Sequence, residues 1–211
     1  MGEVLFVSGI DTDAGKTYAT VFIARKMTAE GKSVATVKFI QTGCQGISED
    51  IVEHRKIMGT ELPEDKAGIT SPIIFSYPAS AQLAARLDGK EIDLAMVDNA
   101  LEKLSRDYDV VLVEGAGGLM VPITDDFFTI DYAKSRALPV ILVTNSILGS
   151  INHTVLSLEA LKKRNMKLHS VAYNKYFDKD KIISQDTYEF ISRYIHKHFP
   201  GVPIIDIPVI E

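Results

Sequence analysis

Six short apolar segments, separated by stretches of helical length, constrain the fold of this chain more than any other feature. The segments are apolar throughout rather than alternating, which is typical of strands buried on both faces of a sheet. Strands and helices in regular alternation predict an α/β fold with a doubly wound, mostly parallel sheet flanked by helices. The predicted strands cover residues 4–8, 34–39, 110–113, 140–144, 168–172 and 202–205.

The connecting stretches carry the pattern of amphipathic helices. Residues 151–164 place apolar side chains along one face and end in a basic cluster, which complements the negative end of a helix dipole. Residues 93–106 form a second example, and Asp93 is its predicted N-cap. Residues 59–80 contain three prolines and follow neither period, so we predict an irregular excursion over the sheet there.

Composition limits the class of protein. With 211 residues, of which 46% are hydrophobic, the chain can bury one large core, and we predict a single domain over residues 1–211. The net charge of -5 disfavours a protein that coats nucleic acid. Cys44 is the only cysteine, which excludes an internal disulfide and is typical of a reducing cytoplasm. No apolar run approaches the ~20 residues of a membrane span. We therefore expect a cytoplasmic protein without nucleic-acid or membrane partners.

The stretch VSGIDTDAGKT, residues 7–17, leads from the first predicted strand into a predicted helix. A strand, a glycine-containing loop and a Gly-Lys-Thr helix start are typical of a phosphate-binding P-loop. In such a loop the backbone N–H groups attract phosphate, Lys16 reaches the β- and γ-phosphates, and the Thr17 hydroxyl contacts Mg²⁺. Gly9 and Gly15 are separated by five residues instead of the usual four. A glycine turn that caps a helix by chance is the alternative interpretation.

Glu114 is the acidic residue that such a site needs. It follows four apolar residues and precedes three glycines within residues 115–118, in the stretch VVLVEGAGG. A buried strand would deliver its carboxylate to the sheet edge beside the P-loop, where it can hold Mg²⁺ directly or through water. The alternative is a strand that ends in a solvated glutamate and a flexible turn.

Three further features are ambiguous in the residues alone. Lys38 ends the second predicted strand, where a lysine is commonly just a solvated terminus. Asp50 lies near the start of a predicted helix, where acids are common because they complement the helix dipole. Residues 148–153, LGSINH, run into another helix start, which could bind an anion or could simply be capped.

Taken together, these motifs resemble the dethiobiotin synthetase family. The resemblance extends over nearly the whole chain, through GIDTDAGKT, VKFIQTG, VEGAGGLMVP, PVILVTNSILGSINHTVLS and VAYN in that order. The glycine loop of the family has the same five-residue gap, so the unusual spacing supports the resemblance. The resemblance implies an ATP-dependent ligase that joins CO2 to 7,8-diaminopelargonate and closes the ring of dethiobiotin, in biotin biosynthesis.

The resemblance also implies roles for individual residues in binding Mg²⁺ and ATP. The triphosphate would be held by Thr12, Asp13, Ala14, Gly15, Lys16 and Thr17. Further nucleotide contacts would come from Asp50, Glu114, Gly115, Ala116 and Gly117, and from Asn174 at the adenine. The ligands of Mg²⁺ would be Thr17, Asp50 and Glu114.

Catalysis and substrate binding are implied in the same way. Lys38 and Lys16 would be the catalytic residues, because they stabilise the carbamate and the transferring phosphoryl group. Substrate contacts within the chain would come from Thr12, Lys38, Thr42 and Gly117. The family implies a homodimer in which the substrate lies across the two subunits, and its carboxylate would be held by the partner through the residues equivalent to Gly149, Ser150, Ile151 and Asn152.

Two other classes of protein share parts of this pattern. A MinD/ParA-like regulatory ATPase has the same fold and P-loop, but Asp11 stands where those proteins carry a signature lysine. The chain also has no amphipathic tail of the kind that binds membranes. A small-molecule kinase of this fold usually brings arginines on a mobile lid, and the sequence contains no arginine cluster.

Two positions depart from the family pattern. Ser80-Ala81-Gln82 stands where the family often has Ser-Pro-His, which leaves the wall of the substrate pocket open to revision. The chain also stops three residues after Pro208, where relatives continue. With fewer walls around the base, we expect weak ATP binding and better tolerance of GTP or CTP than in longer relatives.

Overall fold

The computed structural model describes residues 1–209, and its centre is a six-stranded parallel sheet. The strands follow the order β2-β5-β1-β6-β7-β8. Their bounds are β1 Glu3–Gly9, β2 Val34–Lys38, β5 Val110–Gly118, β6 Val140–Asn145, β7 Leu168–Asn174 and β8 Ile204–Ile207. Each corresponds to one predicted apolar segment, although β5 continues through the glycines to Gly118 and β8 begins two residues later than predicted.

Within the described residues, eight α-helices accompany the sheet. They are α1 Lys16–Ala29, α2 Glu49–Met58, α3 Pro63–Lys66, α4 Ala81–Leu87, α5 Leu94–Asp107, α6 Thr129–Ser135, α7 Ser150–Lys163 and α8 Lys181–His198. The predicted helices over 93–106 and 151–164 are confirmed within one residue at each end. The Asp93 side chain accepts a hydrogen bond from the Ala95 N–H, as predicted for an N-cap. Among residues 1–209, none of these helices combines the length and apolar character that crossing a bilayer requires.

The apolar strands bury side chains on both faces of the sheet. On β1, Leu5 and Val7 face a cluster that includes α1, whereas Phe6 between them faces the larger cluster that includes α5, α7 and α8. Since successive strand residues point to opposite faces, a strand covered on both sides must be apolar at every position. The predicted doubly wound sheet is therefore confirmed.

The strand order places the central crevice beside β1. The chain passes from β1 through α1 to β2 on one side, whereas β6 and β7 continue on the other side. In open α/β sheets, ligands bind at the carboxyl ends of the strands where the order reverses in this way. The loop after β1 and the end of β5 both lie at that point.

The predicted excursion contains short regular elements that the sequence did not indicate. Strand β4, Ile74–Phe75, pairs in parallel with β3, Gln41–Thr42, to form a separate two-stranded sheet. Ile73 and Phe75 are buried in the larger core cluster. This segment therefore packs as part of the core, next to the strand end that carries Lys38.

A buried ion pair attaches the excursion to α2. The Arg55 guanidinium donates to both oxygens of Asp65, from Nε at 2.8 Å and from Nη2 at 2.9 Å. Burial raises the pKa of Asp65, but the hydrogen bonds from Arg55 and Thr70 outweigh it, so the pKa lies below its usual value. The ionised carboxylate therefore stabilises the folded chain.

We predict that Asp65→Asn destabilises the protein by about 2–3 kcal/mol at pH 7, because it leaves the buried Arg55 charge without its partner. Because the folded pKa is lowered, the contribution is complete above the unfolded value of about 3.9 and is lost as the pH falls through the folded value. Urea unfolding of the parent and of Asp65→Asn, at pH 7 and at successively lower pH, measures this difference in the free energy of unfolding.

Asp107→Asn is the matched control, since it removes the exposed partner of Lys103 on α5. That change should cost less than about 1 kcal/mol at any pH. Equal losses for the two variants at pH 7, or an Asp65→Asn deficit that does not shrink in acid, would contradict the assignment.

Candidate active site

A cavity of about 610 Å³ opens at the carboxyl ends of β1, β2 and β5, where the strand order reverses. Its wall combines the P-loop, the start of α1, the end of β2 and the stretch from Glu114 to Gly117 without Gly115. Twelve of the predicted site residues line it, namely Thr12, Asp13, Gly15, Lys16, Thr17, Lys38, Thr42, Asp50, Glu114, Ala116, Gly117 and Asn174. The fold therefore gathers these residues from the P-loop, from α2 and from strands that lie far apart in the sequence.

The P-loop curls around its own lysine. Lys16 Nζ donates to the backbone carbonyls of Asp11, at 3.1 Å, and of Thr12, at 2.9 Å. Burial is the main cause that lowers the pKa of Lys16 to about 8. Gly15, with φ at +84°, supplies the left-handed turn that opens α1. Ala14 is fully buried behind the loop and takes no part in the cavity wall.

Asn174, at the end of β7, packs directly against this loop. Its Nδ2 donates to the Ala14 carbonyl at 3.3 Å, and its Oδ1 accepts from the Tyr176 N–H at 3.1 Å. A Cβ on Gly15 would lie 2.0 Å from Asn174 Nδ2, so any larger residue there would displace the Asn174 amide. The predicted adenine role of Asn174 remains a prediction. The expected base tolerance rested on the end of the chain, and two residues there, Ile210 and Glu211, lie outside the described residues.

Lys38 and Glu114 face each other because β2 and β5 pair in parallel with these two residues in register. Lys38 Nζ lies 2.9 Å from Glu114 Oε1 and 2.5 Å from Asp50 Oδ2, and it donates to the Gly115 carbonyl at 3.2 Å. Lys38 is only 5% exposed and Glu114 1% exposed. The interpretations of Lys38 as a solvated strand end and of Glu114 as a solvated glutamate are therefore wrong.

These groups hold one another in their charged forms. Burial opposes ionisation of Glu114, but the Lys38 charge and the His54 hydrogen bond outweigh it and place the pKa far below its usual value. Burial likewise opposes the charge on Lys38, but Glu114 and Asp50 together raise the pKa of Lys38. The site at neutral pH therefore contains a carboxylate and an ammonium in direct contact.

Three oxygen donors converge beside this pair. The Thr17 hydroxyl lies 3.2 Å from both Asp50 Oδ1 and Glu114 Oε1. Two carboxylates and one hydroxyl suit Mg²⁺, which usually keeps several waters and shares its remaining positions with substrate phosphates. Within residues 1–209 there is no group of three or more His, Cys, Asp or Glu side chains that could enclose a metal by itself. The donor set therefore fits a magnesium ion that is bound together with a nucleotide.

The remaining predicted residues lie outside the cavity wall. The Gly115 carbonyl accepts a hydrogen bond from Lys38, and the Gly115 backbone packs so close to the Phe6 ring that a Cβ would lie 3.1 Å from it. Gly149 is the N-cap of α7, where residues 150–152 form the first turn. The buried Ser150 donates its hydroxyl to Asn145 Oδ1 and its N–H to the Ile147 carbonyl, so both of these donors are engaged by the loop that precedes α7.

The departure at Ser80-Ala81-Gln82 has a structural role. Ser80 caps α4 by accepting from the Leu83 N–H at 3.4 Å, and Ala81 is buried. Gln82 Nε2 donates to Asp125 Oδ1 at 2.7 Å, which joins α4 to the loop after β5. The segment therefore caps α4 and ties it to the loop between β5 and α6.

His54 is the site residue that the sequence analysis missed. It is fully buried on α2, and its Nε2 lies 2.8 Å from Glu114 Oε2. A signal was present, because His54 follows Asp50 by four residues and such residues share one face of a helix.

Comparisons with known structures agree with the fold. A ParA family ATPase from Chlorobium tepidum matches all of this chain and 86% of its own, with a TM-score of 0.57 at 17% identity. A chain of the MinC:MinD cell division protein complex of Aquifex aeolicus matches 98% of this chain and 82% of its own, with a TM-score of 0.54 at 19% identity. These likenesses concern the fold alone. With the P-loop geometry, they define a P-loop NTPase-like protein.

Sequence relatives give the family. A family model described as an AAA domain matches residues 3–209. The ATP-dependent dethiobiotin synthetase BioD 2 of Pasteurella multocida is 50% identical over 202 residues, which are 95% of each chain. The ATP-dependent dethiobiotin synthetase BioD of Chlorobaculum tepidum is 45% identical over 98% of this chain and 87% of its own. The chain belongs to the dethiobiotin synthetase family, and it is an enzyme of the ligase class.

We predict that Gly15→Ala weakens binding of an ATP analogue at least tenfold, about 1.4 kcal/mol, because the added Cβ displaces Asn174 and distorts the loop. Gly31→Ala is the matched control, since Gly31 has a similar φ of +88° and its Cβ would meet no described atom within 4 Å. Both changes carry the strain of a left-handed alanine, ~1–2 kcal/mol, but only the first should alter binding in calorimetric titration. Equal affinities for the two variants would contradict the role of the Gly15 contact.

Proposed function

We propose that this protein joins CO2 to 7,8-diaminopelargonate at the expense of ATP and closes the cyclic urea of dethiobiotin, with release of ADP and phosphate. ATP would be a co-substrate, and residues 1–211 would form one catalytic domain. Family membership supports the substrate, because the relatives are named dethiobiotin synthetases. The observation that carries the proposal within the chain is the buried cluster of Lys38, Asp50 and Glu114 beside the P-loop.

The reaction consists of three bond-forming steps. One amine of the substrate attacks CO2 and loses a proton, which gives a carbamate. A carbamate oxygen then attacks the γ-phosphorus of ATP, the bond to the β,γ-bridging oxygen breaks, and ADP leaves. The second amine attacks the carbonyl carbon of the resulting mixed anhydride, loses a proton and expels phosphate. The ring is closed in that last step.

Negative charge develops on oxygen at each of these stages, and the site supplies positive charge to meet it. Lys16 would contact the β- and γ-phosphates from the P-loop, and Lys38 would stabilise the carbamate and the transferring phosphoryl group. Thr17, Asp50 and Glu114 would hold Mg²⁺, which supplies charge neutralisation at the phosphate oxygens. Phosphoryl transfer depends mainly on such positioning and charge stabilisation.

The substrate would lie along the same wall of the cavity. Thr12 in the P-loop, Thr42 at the end of β3 and Gly117 in β5 all line the cavity, which leaves them available for substrate contacts. The glycines after Glu114 allow the backbone to approach closely, and Gly117 has a φ of +66°.

The test is release of ADP by the purified protein with ATP, 7,8-diaminopelargonate and bicarbonate, each left out in turn. A synthetase requires all three, and dethiobiotin should accumulate in step with ADP. A regulatory ATPase would release ADP at the same rate without diaminopelargonate and bicarbonate. That outcome would reject the proposal and favour the MinD/ParA-like alternative.

We predict that Lys16→Ala and Lys38→Ala each lower kcat by ~10²–10³, because each removes a charge that meets the developing negative charge. Single-turnover measurements give the rate, and far-UV circular dichroism checks that each variant folds. Lys56→Ala on the exposed face of α2 is the control and should retain the parent rate. Near-normal turnover by Lys38→Ala would make its catalytic assignment wrong.

We also propose a homodimer in which each substrate site is completed by the partner. Leu148, in the loop before α7, is 87% exposed, and its neighbour Ile147 is exposed as well. Met120 and Leu156 are also exposed, and both line the same two surface cavities. Exposed apolar side chains of this kind favour an interface. In such a dimer, the first turn of α7, with Ile151 and Asn152, would present its N–H groups to the substrate carboxylate of the other subunit.

A mixture of two inactive variants tests this arrangement. Lys16→Ala and Asn152→Ala should each be inactive or weakly active alone, whereas mixing after dissociation should restore about a quarter of the parent activity, since one site of each hybrid keeps both residues. Sedimentation measures the oligomer in parallel. A fully active monomer, or no recovery in hybrids that are shown to form, would overturn the shared site.

A further inference from the structure

His54 lies at the centre of a buried polar chain that runs from Glu114 to Arg55. Its Nε2 lies 2.8 Å from Glu114 Oε2 and its Nδ1 lies 3.0 Å from the Thr36 hydroxyl. The same hydroxyl accepts from Arg55 Nη1 at 2.7 Å, and Arg55 is fixed in turn by Asp65. His54 and Thr36 are both 0% exposed, so water does not compete for these bonds.

The partners of the two ring nitrogens fix the orientation of the ring. Glu114 is ionised and can only accept, so His54 Nε2 carries the hydrogen between them. Arg55 can only donate, so it uses one lone pair of the Thr36 oxygen and holds that hydroxyl in place. The same hydroxyl lies within hydrogen-bond distance of Nδ1. Thr36 and Arg55 therefore hold the ring so that Nε2 faces Glu114.

The bond from His54 divides the two oxygens of Glu114 between different partners. Oε2 is bound to His54, whereas Oε1 faces Lys38 at 2.9 Å and the Thr17 hydroxyl at 3.2 Å. The terminal torsion of a glutamate is soft and roughly two-fold, so it needs an external partner to fix its angle. His54 is the partner on the side away from the cavity.

We propose that His54 is a positioning residue that holds Glu114 so that Oε1 is presented to the Mg²⁺–nucleotide complex, and that Thr36 and Arg55 hold the ring with Nε2 against Glu114. The proposal deepens the proposed function and rests on it only in taking Glu114 as a ligand of Mg²⁺. Partners that orient a ligand in this way typically contribute 10–100-fold to metal affinity.

The test compares His54→Gln with His54→Leu. The glutamine amide can place an N–H close to the position of Nε2 and can donate to Glu114, whereas leucine has similar bulk and no donor. Binding of Mn²⁺ in the presence of a non-hydrolysable ATP analogue is followed by electron paramagnetic resonance. We expect His54→Leu to weaken Mn²⁺ binding ~10–100-fold and His54→Gln to recover most of that loss.

Two further readouts separate positioning from general structural damage. The Mg²⁺ concentration for half-maximal rate should rise in His54→Leu, while KM for diaminopelargonate stays near the parent value. Binding of the nucleotide without metal should be the same in both variants. Thr36→Val, paired with Thr36→Ser as its control, tests the same series of hydrogen bonds from the Thr36 side of His54. It should also weaken Mn²⁺ binding. This second pair decides the question if His54→Leu fails to fold.

Equal Mn²⁺ affinity in the leucine and glutamine variants, or in the valine and serine variants, would overturn the positioning role. A different result would reject the proposed function, namely ADP release by the parent protein that does not require diaminopelargonate and bicarbonate. Since Mn²⁺ binding is measured without turnover, it reports on His54 whichever way that second experiment ends.

Discussion

The contact between Lys38 and Glu114 is the interaction on which the rest of the site depends. Two charges taken out of water are expensive, and their attraction repays this only where the geometry is good and further hydrogen bonds satisfy both groups. Here the parallel register of β2 and β5 sets the two residues side by side, Asp50 and the Gly115 carbonyl bind the ammonium, and His54 binds the second carboxylate oxygen. The register of a buried sheet therefore positions these two charges.

The fold was predictable where each element has its own local signal. Continuous apolar segments marked all six strands of the central sheet, because both faces are covered, and Asp93 marked the start of α5. The extension of β5 through its glycines was not predictable, since glycine lacks any strand preference and pairs here because Gly118 lies beside Gly9. Strands β3 and β4 have only two residues each, which is too short for any period to be recognised.

The site was predictable in its motifs and less so in its contacts. The P-loop and Glu114 could be located from spacing, but the sequence could not tell whether Lys38 was buried, because that depends on pairing with a strand 76 residues away. His54 was missed for a similar reason. Its helical spacing from Asp50 predicts that the two residues share one face of α2, but not which residues that face contacts. Ser150 illustrates the reverse case, in which a polar residue at a helix start is engaged by Asn145 of its own loop.

The amide of Asn174 contacts the P-loop and still has hydrogen-bonding capacity left on the cavity side. An amide has two donor hydrogens and two acceptor lone pairs. Asn174 uses one hydrogen on the Ala14 carbonyl and one lone pair on the Tyr176 N–H, so one of each remains on a side chain that lines the cavity. One donor beside one acceptor complements the adenine edge, which presents the N7 acceptor and the N6 amino donor. Guanine presents two acceptors, N7 and O6, on the same edge. A lone pair of Asn174 would then face a lone pair of the guanine. The predicted adenine contact of Asn174 would therefore favour adenine over guanine, which works against the base tolerance expected from the sequence.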